Sequence, residues 1–133
     1  MSKAAELAEF SGGISSGSNA VEGLAKAWVN FDGTASGAAS RDSFNISGMT
    51  DDATGKYTAS YTNLMSNGTY AFTTATVDTS TISRGGNTLN LRDGNSPETS
   101  NIKLEGRYGA NAGNDGGLMD QDFMFVTVMG DLA

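Results

Sequence analysis

The sequence predicts an all-β fold, an antiparallel β-sandwich of about seven strands preceded by a short N-terminal helix and a Gly/Ser-rich tether. Three observations predict it. Apolar and polar residues alternate over short runs, with Ala25, Ala27, Val29 and Phe31 set against Leu24, Lys26, Trp28 and Asn30. Period-two alternation puts the two sets on opposite faces of a strand. Such runs recur at spacings of roughly 10–15 residues with turn residues between them, as consecutive strands of a sandwich do. The composition agrees: 18 Gly and one Pro stand among dense Ser, Thr and Asn, and Gly and Asn supply the positive-φ positions of tight turns. A Gly- and Ser-rich chain could also be disordered. The patterning of its apolar residues argues against that.

A chain of 133 residues suits one domain with a real core. Residues 1–20 are expected to attach it to something larger. Ser2 to Phe10 is rich in helix formers, with Ala4, Leu7 and Ala8 on one side, but it is too short to persist alone as a helix. Ser11 to Asn19 reads as a flexible tether. Residues 21–133 form the sandwich domain. Its expected strands are Val21 to Phe31, Asp42 to Met49, Lys56 to Thr62, Thr69 to Thr79, Asn87 to Arg92, Asn101 to Tyr108 and Asp122 to Met129. Thr50 to Gly55 reads as an Asp- and Gly-rich turn, and Asn67-Gly68 is the strongest hairpin signal. A change of phase suggests a bulge near Thr73 or Thr74. The last strand is apolar on both faces, which suits a central or interface position.

Charge and residue types narrow the function. A net charge of −7 disfavours nucleic acid as a partner, and the scattered cations form no membrane-binding patch. No apolar run is long enough for a membrane helix, so no membrane insertion is expected. The Met1 to Ala5 start lacks a signal peptide's apolar core, so the protein is expected to be soluble and to stay in the cell that makes it. With no Cys and no His, a structural zinc site and every His-based nucleophile arrangement are out of reach. Asp51-Asp52 and Asp120 with Asp122 are the nearest paired carboxylates, and they read as solvated turn residues. Asn111 to Gly117 has the oxygen-rich look of a calcium loop without its ligand spacing or terminal Glu. No catalytic residue, cofactor or metal is expected.

The residues that stand out are suited to contact. Trp28, the only Trp, and Phe123 and Phe125 are candidate interface residues. Tyr108, Asn111, Asn114 and Asp115, in and beside the Gly-rich loop 109–117, are candidate ligand-facing residues. Their short polar side chains and single ring suit a hydroxyl-rich ligand.

Lys26 to Phe31 (KAWVNF), Arg41 to Ile46 (RDSFNI) and Thr50 to Thr58 (TDDATGKYT) follow one another as a pattern. Tyr70 to Phe72 and a closing Phe125 to Asp131 extend it, and the start MSKAAELA fits it. This pattern resembles a module of tail-fibre and other virion structural proteins of tailed bacteriophages, of the marine-phage type. The resemblance spans residues 26–61 and continues in part to 72. It implies a virion structural protein located in the particle, a short tail-fibre or tail-appendage subunit that displays its sandwich for host attachment. A capsid decoration or cement protein is the alternative. It further implies assembly as a homotrimer or in several copies, contact with other virion proteins, and a host surface glycan or protein as the target. The family's motifs carry no catalytic residues, so no enzyme is implied.

Overall fold

In the computed structural model, which describes residues 24–77, 79, 85–109 and 116–133, the alternating runs become nine strands. The expected N-terminal helix and tether lie outside the described residues. The strands are β1 (Ala25–Asp32), β2 (Ala39–Phe44), β3 (Ile46–Ala53), β4 (Lys56–Tyr61), β5 (Ala71–Val77), β6 (Gly85–Leu91), β7 (Asn101–Gly109), β8 (Gly117–Leu118) and β9 (Phe123–Met129). All pairs are antiparallel. The first sheet has the order β2-β1-β9-β5, and the second β3-β4-β7-β6 with β8 also on β7. The last apolar strand, β9, is central, as its two apolar faces require.

The core lies between the sheets. Ala27, Val29 and Phe31 of β1 and Met124, Val126 and Val128 of β9 meet Tyr57 and Ala59 of β4 and Ile102 and Leu104 of β7. Each fully buried large side chain contributes about 2 kcal/mol of hydrophobic stabilisation. The Phe31 and Tyr57 rings meet edge to face across the gap, with centroids 5.2 Å apart.

Asn45 explains why the run Asp42 to Met49 is two strands rather than one. Its φ of 57° is left-handed, a conformation Asn tolerates better than most residues. Its amide spans two elements, with Nδ2 donating to the Lys26 carbonyl at 3.0 Å and Oδ1 accepting the Asn63 backbone N–H at 2.7 Å. The chain changes sheet at this residue. The expected turn at Thr50 to Gly55 shrinks to Thr54-Gly55, and β3 continues through Ala53. Asp52 falls where the β3–β4 register shifts, and there it accepts hydrogen bonds from Arg92 and, at 2.7 Å, from the Thr58 hydroxyl.

Asn67-Gly68 does not make a hairpin. β4 pairs with β3 and β7, whereas β5 lies in the other sheet beside β9. The Asn67 Oδ1 caps Thr69 N–H at 2.8 Å, and a Cβ on Gly68 would sit 2.4 Å from the Pro97 carbonyl oxygen. Gly is needed there for close passage of a crossover, not for a two-residue hairpin. The expected bulge near Thr73 is also absent, since β5 runs against β9 without a register shift.

A buried polar knot closes one end of the sandwich. Gln121 is fully buried. Its Nε2 donates to the Arg107 carbonyl of the second sheet at 3.0 Å, and its Oε1 accepts from Thr76 of the first. Its backbone carbonyl accepts Gly33 N–H at 2.9 Å. The neighbouring Asp120 Oδ1 accepts Gly55 N–H and the Tyr57 hydroxyl, each at 2.6 Å. Burial, reinforced by that carboxylate, pushes the Tyr57 hydroxyl far above its usual range. Gly55 has a φ of +65°, and a Cβ there would lie 2.6 Å from the Gly106 carbonyl oxygen, so no other residue fits.

Two outcomes follow from these contacts. Gln121→Ala removes the donor to the Arg107 carbonyl, leaves the Thr76 hydroxyl only the Phe123 carbonyl as partner and opens a cavity, so chemical denaturation should report a loss of about 2–4 kcal/mol. A loss under about 0.5 kcal/mol, no more than a surface substitution costs, would show that the amide is not structural. For Asp52, burial raises the pKa, but the Thr58 and Arg92 hydrogen bonds outweigh it and the net shift is downward. Its stabilisation is therefore present above the ordinary carboxylate range and lost as pH falls through the folded value. The stability difference between wild type and Asp52→Asn should be about 1 kcal/mol at pH 7 and shrink as pH falls below about 4.

Candidate interaction face

The outward faces of the two sheets differ in kind. On the second sheet, Thr58 lies opposite Lys103 and Lys56 opposite Glu105. Lys103 pairs with Glu98 at 2.7 Å, and Arg107 pairs with Glu105 at 2.5 Å and Asp93 at 2.9 Å. That surface is a lattice of ion pairs.

The first sheet presents rings. By register, Trp28 of β1 lies between Phe44 of β2 and Thr127 of β9, and Asn30 lies between Asp42 and Phe125. One step along, Phe123 lies opposite Val77 of β5. Phe44 is 52% exposed and Val77 53%, whereas Trp28, Phe123 and Phe125 are half-buried. Trp28, Asn30, Asp42, Phe125 and Thr127 line an open pocket of about 250 Å3. The Asn30 Oδ1 in it is buried and has no hydrogen-bond partner among the described residues, a costly arrangement unless a donor arrives from outside.

A bulge frames this face. The β1–β2 register shifts between Asn30 and Phe31, so that Asp42 opposes Asn30 and Ser40 opposes Phe31. Arg41 falls between them and turns its guanidinium over the Phe123 ring, 4.2 Å from the centroid. It also bonds Asp32 at 2.8 Å. The Thr34 hydroxyl at 2.7 Å and, further, the Thr34 N–H and Arg41 hold the Asp32 carboxyl below its usual range. Lys26, Arg41, Asp32 and Asp42 on these strands balance in charge, although the chain as a whole carries −7.

The candidate interface residues Trp28, Phe123 and Phe125 thus share one sheet face. Phe44 and Asn30 complete it; Asn30 shares the Trp28 face already in the sequence, but neither residue stands out there as a contact candidate. Phe44 and Ile46 are in phase in the sequence, and the break at Asn45 is not visible in the alternation. Asn30 differs from other strand asparagines only through its neighbours in space.

The candidate ligand-facing residues Asn111, Asn114 and Asp115 lie outside the described residues. Tyr108 is half-buried in β7 opposite Asn87 and Gly117, and its ring lies 3.4–3.6 Å from where a Cβ on Gly117 would be. Of the paired carboxylates, Asp51 is exposed to solvent, but on β3 rather than in a turn, and Asp52 bonds Thr58 and Arg92. Asp120 is committed to Tyr57 and Gly55, and Asp122 to Thr79. Among the described residues no group of three or more acidic, His or Cys side chains could hold a metal ion, and no helix is long and apolar enough to cross a membrane.

Such a face can bind by burying rings and by accepting a partner's hydrogen bond at the Asn30 Oδ1. No family model, curated protein or solved structure matches the chain.

Trp28 is the sole Trp, so its fluorescence reports on this face directly. In the free protein acrylamide should quench it readily, and occupation of the face should suppress quenching and shift emission to the blue. Trp28→Ala should cost less than about 2 kcal/mol of stability, because the ring is only partly buried. A larger loss would make it a core residue.

Proposed function

We propose that the chain is a structural subunit of a tailed-bacteriophage particle, a short tail fibre or tail appendage that presents the sandwich for host attachment. It acts by binding, not by catalysis. The observation that carries this reading is the ring-lined pocket around Asn30: an acidic chain keeps one charge-balanced aromatic face with a buried acceptor awaiting a donor. Aromatic residues around a desolvated polar atom are typical of contact surfaces. The resemblance of residues 26–61 to phage virion modules supports the particle as the setting, and its first motif, Lys26 to Phe31, is the strand that bears Trp28. In this reading the aromatic face is covered by other virion proteins, and the remaining surface meets a host surface glycan or protein.

Antibody raised against the chain should label the tail of intact particles and block adsorption to host cells. Trp28→Glu protein should fold yet fail to enter particles. Labelling confined to the head would replace the tail reading by capsid decoration, and particles without label would remove both.

A further inference from the structure

The edges of the two sheets are not equally guarded. Unpaired strand edges invite other chains, and proteins blunt them with charges, bulges, Gly or Pro. β2 carries Arg41 and Asp42 and is bulged against β1. β3 carries Asp51 and Asp52 and shifts register twice against β4. β6 begins with Gly85-Gly86, shifts register there, and has its Leu89 carbonyl taken by the Thr74 hydroxyl at 2.5 Å. β8 is only two residues long.

β5 has none of these devices. Its sequence, AFTTATV, lacks charge, Gly and Pro, and all seven residues pair with β9 in unbroken register. Thr and Val favour extended backbone. The side chains of Thr74 and Thr76 bond inward to Leu89, Gln121 and Phe123. Among the described residues no hydrogen bond reaches the outer backbone edge of β5.

We propose that this edge pairs antiparallel with β5 of a second copy. Charge favours a second copy: in a chain of net charge −7, no Asp or Glu stands between Asp52 and Asp78, so two copies meet here without opposing carboxylates. The strand is also complementary to itself. With Thr74 opposite Thr74, every residue is paired: Thr73 meets Ala75, Phe72 meets Thr76 and Ala71 meets Val77. The two-fold contact is isologous and closes on itself. It joins two four-stranded sheets into one and sets two aromatic faces side by side on the same side of it. Two short strands bury less than the roughly 1,200 Å2 of a standard interface, so the dimer should form at about tens of micromolar. The pairing belongs to the purified chain and does not depend on a phage particle.

The test is sedimentation of the full chain from about 1 to 300 µM, a range that brackets micromolar dissociation constants. Thr73 and Ala75 are exposed, so charges there leave the fold intact, as circular dichroism would verify. Wild type should pass from monomer to dimer. Thr73→Lys with Ala75→Lys should weaken association at least tenfold, because the two substituted positions face each other across the pair and bring ammonium against ammonium. Thr73→Lys with Ala75→Glu should restore it, since each ammonium then faces a carboxylate of the other copy. A wild type that stays monomeric overturns the proposal. So does a double-lysine variant that dimerises like wild type, or a lysine/glutamate variant no better than the double-lysine one. Association lost in Trp28→Ala but unaffected by the lysines would assign self-contact to the aromatic face and overturn it equally.

Discussion

One buried amide sets the relation between the sheets. Gln121 bonds Thr76 in one sheet and the Arg107 carbonyl in the other, while its own carbonyl receives the turn after β1. Inside a core such bonds are strong when complete and expensive when any partner is missing. The amide therefore favours one relative placement of the sheets, where aliphatic packing alone would accept several. Asp120 acts likewise on the β3–β4 turn through Gly55 and on the core through Tyr57. β9 begins just beyond this pair, so the register of the central strand starts from a fixed point.

The alternation in β1, β4, β7 and β9 was legible because each keeps one face in the core, and burial writes itself into a sequence at period two. Where the chain passes between sheets, the sequence misleads. Asp42 to Met49 reads as one strand because Phe44 and Ile46 are in phase. The αL turn at Asn45 rests on contacts with Lys26 and Asn63, which no local window contains. Asn67-Gly68 has hairpin chemistry, yet the strands it connects belong to different sheets, and the Gly answers a steric demand from Pro97. Gln121 gave no signal at all, since one Gln near a Gly-rich stretch looks like any surface amide.

The aromatic face was half legible. Trp28 could be set against the apolar face of its own strand, but Phe125 lies on a strand apolar on both faces, and the adjacency of the two depends on β1 pairing with β9. Asn30 and Arg41 owe their roles to the pocket and the bulge, which are properties of paired strands and not of either one. The ion-paired face of the second sheet was equally hidden, because Asp93 and Glu98 come from loops between its strands.

The β1–β9 pairing also governs when the face comes into being. Its two middle strands lie nearly a whole domain apart in sequence, and closing so long a loop is slow compared with forming a local hairpin. On the ribosome, β1 with β2 and β3 with β4 can pair early, whereas the other edge of β1 must wait until residues up to Met129 have emerged. A growing chain therefore exposes Trp28 on an unfinished sheet and has no pocket around Asn30. Partners that read the pocket meet only finished molecules, and a nascent chain depends on chaperones or speed to keep that strand from pairing elsewhere.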